Sequence, residues 1–370
     1  MLVDWVTAHL SYEYIQPEDW QKLILMTERV MRFKPNSDDF NIHDSNTGEA
    51  MTKDGYFLLN RDSVIYETAA WESVKSDSHQ IAFRVGSDAI WIQGSPARVC
   101  GSGDAVFGEG ASGALDLPAC VRRMSVFVSD SIGFVLDSDV THWKVSRIDV
   151  TGNLLLDDIS SVREALRVLR NCEGGRYRVS QQAGDTVYWS HKSRLRSGKA
   201  YAKGPHIEYQ TTKKGYSGRI YSEYEKKSIM RLLRLELSLK SQWLRERSVK
   251  KWWLLTANDL KNEWHSYFMR MIGDSEMLNE NDLKNKIELS AKTEGQAKSA
   301  YSLFLLIKSV GWEVARSETS KPTWYRNIKI LRQAGLGDAD IATGNIVPFR
   351  RKIIECQMVN SWDELHRLVA

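Results

Sequence analysis

The stretch Leu232–Lys240 (LLRLELSLK) alternates leucine with polar side chains after its first residue. Side chains two positions apart on a β-strand share a face, so this segment would present leucines on one face and charges on the other. The charged face would carry Arg234, Glu236, Ser238 and Lys240. The pattern therefore predicts a strand that packs on a hydrophobic core with one face and carries polar chemistry on the other.

Two shorter segments place charge on a strand in a similar way. Val145–Val150 puts Arg147 and Asp149 on one face and Ile148 and Val150 on the other. Lys199–Lys203 puts Tyr201 between two lysines that point the same way. Each of these strands also fits an edge strand with salt bridges on a solvated sheet face, and that alternative stays open.

The polar faces of the three strands carry groups that can cut a phosphodiester. The carboxylates of Asp149 and Glu236 are hard oxygen ligands, which suit Mg²⁺ or Mn²⁺. Tyr201 could attack the phosphorus, and nearby lysines would favour its phenolate form. Arg194 and Arg196, in the predicted loop before this strand, could clamp flanking phosphates. These residue types together are compatible with a tyrosine that attacks a DNA phosphate beside a divalent metal, and equally with salt bridges on a solvated sheet face.

Positive charge is concentrated in the segment Arg176–Lys251. This segment has 19 Lys or Arg against 6 Asp or Glu, whereas the whole chain has a formal net charge of +4. It also contains seven of the 14 tyrosines. Cations interleaved with aromatic rings suit a surface that follows phosphates and stacks on unpaired bases. A solvated basic face with aromatic side chains in the core would have the same composition.

The overall composition excludes several classes of protein. Hydrophobic residues make up 42% of the 370 positions and charged residues 26%, which is typical of a globular protein of two or three domains. No run of about 18 apolar residues occurs, so we expect no membrane contact. The N-terminal MLVDWVTAHL lacks the basic region of a signal peptide. The four scattered cysteines favour neither a disulfide framework nor a zinc site, and a reducing cytoplasm is the expected location.

Periodicity predicts an α+β protein with a sheet first and helices after. Strands are predicted at Leu2–Ala8, Lys144–Val150, Thr186–Trp189, Lys199–Lys203 and Leu232–Lys240, with a hairpin at Gln80–Gln93. Helices are predicted at Pro17–Phe33, Leu115–Val128, Ser160–Asn171, Asp259–Ile272, Asp282–Leu289, Thr293–Val310 and Trp324–Ala334. The change in texture divides the chain into a sheet domain at 1–245 and a helical domain at 246–370.

Several of these segments occur in the order seen in a known family. The chain resembles the gene II replication initiator family of filamentous bacteriophages, whose members nick the phage origin to start rolling-circle replication. The matching segments are Gly94–Val99 (GSPARV), Ser146–Val150 (SRIDV), Thr186–Lys203 (TVYWSHKSRLRSGKAYAK), Leu233–Lys240 (LRLELSLK) and Asn345–Arg350 (NIVPFR). It is their shared order, rather than any single segment, that carries the resemblance.

The resemblance implies a fold and an activity. The fold would be the palm-like antiparallel sheet of HUH and plasmid Rep nucleases, followed by the helical portion. The activity would be a Mg²⁺-dependent (or Mn²⁺-dependent) nicking and religation of one DNA strand through a 5′-phosphotyrosine. The A-Y-x-K motif of the family falls on Tyr201 and Lys203, which would be catalytic. Asp149 and Glu236 would hold the metal.

The chain departs from the wider nuclease pattern at one position. It has no His-x-His pair, so the resemblance leaves the third metal ligand open between His206 and Glu208. A purely structural role for either residue is an equal alternative. The basic side chains expected to contact DNA are Arg147, Arg194, Arg196, Lys199 and Arg234.

The expected partners are phage origin DNA, single- and double-stranded, and the host replicative helicase and polymerase. Two interpretations compete with this one. The first is a non-catalytic DNA-binding regulator with a degenerate nuclease fold, and the second is a conjugative or transposon nickase. The predicted helix Trp324–Ala334 has two possible roles. It would bind duplex DNA as a helix-turn-helix-like unit, or it would pack on the nuclease sheet.

Overall fold

The computed structural model describes most of the chain. It covers residues 1–24, 30–34, 65–68, 81–99, 103–108, 114–132, 135–170, 185–213, 216, 218–246, 251–272, 280–337, 340–341 and 357–369. The motif Asn345–Arg350 lies outside the described residues, as do positions 25–29 of the predicted helix Pro17–Phe33.

The described strands form one antiparallel sheet of ten strands. They are β1 (Leu2–Ser11), β2 (Val30–Lys34), β3 (Ile65–Thr68), β4 (Ile81–Val85), β5 (Ala89–Gly94), β6 (Trp143–Leu155), β7 (Thr186–Trp189), β8 (Arg196–Ala202), β9 (Leu232–Lys240) and β10 (Met358–Val359). Their order across the sheet is β3-β2-β4-β5-β1-β6-β9-β8-β7, and β10 pairs with the end of β6. The strands β1, β6 and β9 are thus adjacent interior strands.

The described helices lie between the strands and after them in the chain. They are α1 (Pro17–Ile24), α2 (Pro96–Val99), α3 (Leu117–Ile132), α4 (Ile159–Arg170), α5 (Lys203–Thr211), α6 (Glu223–Ile229), α7 (Ser241–Glu246), α8 (Ala257–Ile272), α9 (Glu280–Ser290), α10 (Glu294–Val310), α11 (Trp312–Glu318), α12 (Lys321–Gln333) and α13 (Trp362–Val369). The fold class is α+β, as predicted. None of the helices in the described part of the chain has the length and hydrophobicity needed to span a bilayer.

Three helices cover one face of the sheet. α3 lies against β1, β4 and β5, α4 lies against β7, β8 and β9, and α8 lies against β6 and β9. The alternating leucines of β9 are buried in this main core. α8 approaches so closely that a Cβ at Gly152 would lie 3.0 Å from the Trp264 ring, and one at Gly198 would lie 2.5 Å from the Tyr267 ring. The glycines therefore allow aromatic side chains of α8 to pack directly on the sheet backbone.

The helices α9 to α12 form a second hydrophobic core. Phe304 of α10 and Ile328 and Leu331 of α12 are among its buried side chains. The rings of Trp312 and Trp324 meet edge to face with their centroids 4.9 Å apart, an arrangement that aromatic pairs favour.

The expected division at 245/246 does not coincide with the boundary between the two cores. Trp252, Trp264 and Phe268, which the sequence assigned to the helical domain, belong to the main core under the sheet. The C-terminal segment Met358–Val369 also returns to the sheet, through β10 and α13. The helical unit of the described chain is therefore shorter than predicted, because amphipathic helices on either side of it pack on the sheet.

Most predicted elements are confirmed, with two local corrections. The helix predicted over Pro17–Phe33 is described over Pro17–Ile24, and Val30–Lys34 is a strand paired with β3 and β4. The strand predicted over Lys199–Lys203 ends at Ala202, and Lys203 begins α5.

Candidate active site

The face of the sheet opposite the main core is polar, and we call it the polar face. On β6 and β9, Asp149 lies directly opposite Ser238, and Thr151 lies opposite Glu236. On β8 and β9, Lys199 lies opposite Glu236. Residues opposite one another in an antiparallel pair point to the same side, so the charges predicted on three separate strands meet on one surface.

Tyr201 lies on the polar face with cations around its ring. The ring centroid is 4.4 Å from Lys199 Nζ and 5.8 Å from Lys203 Nζ, and the His206 ring is 4.9 Å away. Lys199 Nζ is also 3.9 Å from Glu236 Oε2, so the Tyr201 ring centre and that carboxylate oxygen are at most about 8 Å apart. Tyr201 itself is only 2% exposed.

Each of the two predicted metal-binding carboxylates already has a cationic partner. Arg147 binds Asp149 with two hydrogen bonds, Nε to Oδ1 at 2.9 Å and Nη2 to Oδ2 at 2.5 Å. Lys199 accompanies Glu236. Burial raises the pKa of Glu236 and the charges of Asp149 and Asp4 add to the effect, against the opposing influence of Lys199 and Arg147.

The described residues of the polar face offer a metal two carboxylates and not three protein ligands. Among the described residues, no group of three or more His, Cys, Asp or Glu is placed to hold an ion. Mg²⁺ is commonly bound by one or two carboxylates together with water and substrate phosphates, so Asp149 and Glu236 fit that mode. The donors are oxygens of the hard type that this ion prefers.

The two candidates for a third ligand lie on α5 rather than on a strand. Helical residues two apart point about 200° away from each other, so His206 and Glu208 do not share a side. His206 contacts the Tyr201 ring, whereas Glu208 is exposed. Glu208 is therefore corrected to a surface residue. Burial, together with Lys203 and Lys199, lowers the pKa of His206 strongly and keeps its imidazole neutral.

A layer of buried charge ties the polar face to the loop 103–108. Arg234 is 0% exposed, and its guanidinium donates to Asn153 Oδ1 at 2.9 Å and to the carbonyl oxygens of Ala105 and Val106. Its Nη1 is also 3.8 Å from Asp4 Oδ2. Arg234 is thus a buried clamp for a loop, and its predicted role as a DNA contact is corrected because no part of it reaches the surface.

The loop held by Arg234 is fixed from its other side by Asp104. The Asp104 carboxylate accepts hydrogen bonds from the Tyr221 hydroxyl at 2.9 Å and from Trp362 Nε1 at 3.1 Å. It also accepts from the backbone N–H groups of Val106 and Phe107. The C-terminal helix α13 is therefore joined to the loop 103–108 through the buried Asp104 carboxylate.

The remaining predicted DNA contacts occupy different positions. Arg196 falls opposite Leu239, on the apolar side of the sheet, where it pairs with Glu263 of α8 and lies 5.6 Å over the Tyr267 ring. It is corrected to a structural ion pair. Arg194 is exposed in the turn between β7 and β8.

Two predicted cations stay on the polar face. The Arg147 side chain is 39% exposed beside Asp149, and Lys199 lies between Tyr201 and Glu236. Both therefore remain placed to meet a phosphate that enters the site.

The electrostatics of the phenol differ from the sequence-based expectation. Burial raises the pKa of Tyr201 above its usual value of 10.0, and this outweighs the lowering influence of Arg234 and Lys199. Lys199 thus favours the phenolate as expected, but burial of the ring has the larger effect and favours the protonated phenol. Burial likewise lowers the pKa of Lys203 well below its usual range, with Arg234 and Arg98 adding to the effect. The Lys203 Nζ has no hydrogen-bond partner in the described structure.

Sequence reasoning missed the buried acid Asp4. It lies at a bulge of β1, where the pairing with β6 shifts between Val3 and Trp5. Burial by itself raises its pKa, but the cations of Arg98 and Arg234 hold the pKa below its usual value. Arg98 approaches Asp4 Oδ1 at 3.1 Å. The available signal was an acid inside the otherwise apolar strand LVDWV, because such a residue is rarely buried without a partner.

The amino-acid sequence also matches a known protein family. A family model that describes the N-terminal part of a phage replication-associated protein matches residues 3–265. The chain belongs to this family. It is a replication initiator by family, and the family implies binding to origin DNA. The family match runs from β1 through β9 and ends within α8.

The chain also has a distant likeness to a solved structure. The chain is similar to a rolling circle replication initiator protein from Geobacillus stearothermophilus, at 10% sequence identity over 75% of this chain and 88% of that chain, with a TM-score of 0.31. None of the curated protein sequences matches the chain.

Exchange of Arg234 for methionine tests its assignment as a clamp. Arg234→Met removes a buried cation beside Asp4 and the donor to Asn153 Oδ1 and to the Ala105 carbonyl, so we expect a loss of about 3–5 kcal/mol in unfolding free energy. The matched variant Arg194→Met removes an exposed arginine and should stay within about 0.5 kcal/mol of wild type. Urea unfolding followed by tryptophan fluorescence measures both. An Arg234→Met protein of normal stability that has lost DNA affinity would restore the predicted DNA contact.

Proposed function

We propose that the chain nicks one strand of origin DNA through Tyr201 and later rejoins it, as the initiator of rolling-circle replication. The observation that carries the proposal is the position of Tyr201 on the polar face, with Lys199 against its ring and Glu236 beside that lysine. A nucleophile, a cation and a carboxylate on neighbouring strands are the groups that phosphoryl transfer to a side chain needs.

The reaction is a transesterification. The Tyr201 oxygen forms a bond to phosphorus as the bond from phosphorus to the 3′-oxygen breaks. The phenol loses its proton, and the leaving 3′-oxygen becomes a 3′-OH. Lys199 and Arg147 are the cations placed to balance the charge on the phosphoryl oxygens. The 5′-phosphotyrosine keeps the energy of the ester, so a 3′-OH can attack it and restore a continuous strand.

Asp149 and Glu236 are the residues that would hold Mg²⁺ or Mn²⁺. When bound, such an ion withdraws charge from a phosphoryl oxygen. Arg147 and Lys199, which pair with these carboxylates, are the cations that would face the same phosphate. His206 stays neutral beside Tyr201 and is available to orient the phenol.

The closed state of the site leads to a second candidate function. Tyr201 is almost fully buried, and both carboxylates are already paired with cations. A regulator that binds origin DNA without cutting it would look the same. The catalytic proposal therefore requires that DNA binding opens the cover made by α5 and the loop 103–108, whereas the regulator would form no covalent product.

The finer biological setting follows from the proposed reaction. We place the chain with the gene II type initiators of filamentous phages, acting in the cytoplasm of a bacterial host. Its single-stranded product would be taken up by the host replicative helicase and polymerase.

A tyrosine exchange tests the nucleophile. Tyr201→Phe should abolish both nicking of supercoiled origin DNA and the covalent adduct, because phenylalanine has no oxygen to attack phosphorus. The matched control is Tyr209→Phe, since Tyr209 is 63% exposed on α5 and should leave the rate unchanged. Denaturing gels and mass spectrometry of the digested adduct report the result. Adduct formation by Tyr201→Phe would remove Tyr201 from this role, and wild-type protein that binds without adduct would favour the regulator.

The pH dependence follows from the raised pKa of Tyr201. Burial raises the pKa of Tyr201 above 10.0, and opening of the site by DNA would bring it back toward that value, so the phenolate fraction between pH 7 and 9.5 grows about tenfold for each pH unit. We expect the single-turnover nicking rate to rise steadily from pH 7 to 9.5, with DNA binding measured in parallel as the control. A rate that does not change over this range would contradict attack by a free phenolate and would indicate that a neighbouring base takes the proton.

Removal of one carboxylate tests the metal site. Glu236→Gln keeps the size of the side chain but removes a charged ligand, so nicking at low Mg²⁺ should fall by about 100-fold or more while DNA affinity is largely kept. Glu208→Gln is the matched control because Glu208 is exposed on α5. Mg²⁺ titration of the initial rate distinguishes them. A normal rate and normal Mg²⁺ response for Glu236→Gln would exclude Glu236 as a ligand.

A further inference from the structure

The helix α12 has two sharply different sides. At about 100° per residue, its buried side chains fall on one side, and they include Trp324, Ile328 and Leu331 in the second core. The exposed positions fall within an arc of about 140° on the other side. That arc carries Lys321, Pro322, Tyr325, Arg326, Lys329 and Gln333.

The charge of α12 is of one sign. Its 13 residues include four Lys or Arg and no Asp or Glu. The stretch 280–318, which forms the rest of the same helical unit, has six of each sign. The positive charge of this unit is therefore concentrated on one helix and, within it, on the side that faces away from the core.

The exposed side of α12 is rigidly mounted. Asn327 is buried and donates to the backbone oxygen of Ser299 on α10 at 3.0 Å, and the Trp324 ring packs on Trp312 of α11. Two residues, Thr319 and Ser320, separate α11 from α12. A short helix joined by a tight turn to a second helix with an exposed basic face is the arrangement by which helix-turn-helix proteins present a recognition helix.

A groove beside the start of α12 extends this surface. It has a volume of about 400 Å³ and lies between α11 and α12. Arg316, Lys321 and Tyr325 line it, together with Glu313. Tyr325 is 55% exposed, although an aromatic ring of this size is usually more buried when it serves only packing. Two cations and a ring at the mouth of a groove suit a strand of DNA backbone with its sugar edge.

We propose that α12 is a recognition helix that enters the major groove of duplex DNA. Lys321, Arg326 and Lys329 would contact phosphates at the two edges of the groove or acceptors on base edges. Tyr325, in the middle of the same face, would contact bases. A duplex is favoured over a single strand because a rigid straight helix matches the width of the major groove. This surface lies outside the residues 3–265 matched by the family model.

The proposal deepens the proposed function, since it supplies the surface that would hold double-stranded origin DNA while Tyr201 acts on one strand. It does not depend on catalysis. Binding through α12 can be measured whether or not Tyr201 forms an adduct, so the two ideas can fail separately.

The test measures DNA binding by the full-length protein. The probes are a fluorescein-labelled 30-base-pair duplex of mixed sequence and one of its strands alone, each titrated over a range of KCl concentrations. The variant K321Q/R326Q/K329Q should bind the duplex on the order of tenfold or more weakly, with a salt slope reduced by about three, and should lose less affinity for the single strand. Tyr325→Ala should weaken duplex binding with an unchanged salt slope.

The matched control is K292Q/K298Q/K308Q, which removes the same charge from exposed positions of the same helical unit. It should keep nearly the wild-type salt slope and duplex affinity. Equal effects of the two triple variants would overturn the proposal, because they would show a response to net charge alone. Unchanged duplex binding by the α12 variant at wild-type thermal stability would also overturn it and would leave this face to a partner of another class.

Discussion

The structure depends on the strict alternation of side chains along β9. Its odd-numbered leucines are buried in the main core, and its even-numbered residues from Arg234 onward form the middle of the polar face. β9 lies between β6 and β8, so its register also decides which side chains of those strands join each face. A slip of one residue would move Glu236 into the hydrophobic core and a leucine next to Tyr201. The hydrophobic burial that stabilises the sheet therefore also fixes the geometry of the candidate active site.

The polar face is not a source of stability in the same way. Arg234, Asp4 and Arg98 are buried together, and buried ion pairs often contribute little net free energy because desolvation offsets their attraction. Lys203 is fully buried, and its ammonium group finds no hydrogen-bond acceptor in the described structure. Hydrophobic burial on the opposite face, where α3, α4 and α8 pack on the strands, offsets the unfavourable desolvation of these charges. What the charged layer provides is a fixed position for the loop 103–108 over the sheet.

The sequence predicts those parts of the site that depend on a period of two. It places Asp149, Glu236 and Tyr201 on polar faces, and the strand pairing brings these faces together. It does not predict that β8 begins as early as Arg196, because the start of a strand after a turn has no sharp sequence signal. Once Arg196 is in the strand, its spacing of three from Lys199 puts it on the apolar side. It also does not predict the burial of Arg234, since the loop that accepts its hydrogen bonds is about 130 residues away in the chain. Long-range partners of this kind leave no local pattern.

The burial of Tyr201 makes its reactivity conditional on the state of the cover. Burial is the largest influence on its pKa and acts to raise it, and the next influences, from Arg234 and Lys199, act to lower it. In the closed site the phenol is therefore protonated and a poor nucleophile. Displacement of the cover by DNA would rehydrate the ring and remove the largest unfavourable influence, while Lys199 stays in place on its strand. The same movement that admits the phosphate would thus increase the phenolate fraction, and the proposed nucleophile beside Lys199 would stay unreactive until its substrate is bound.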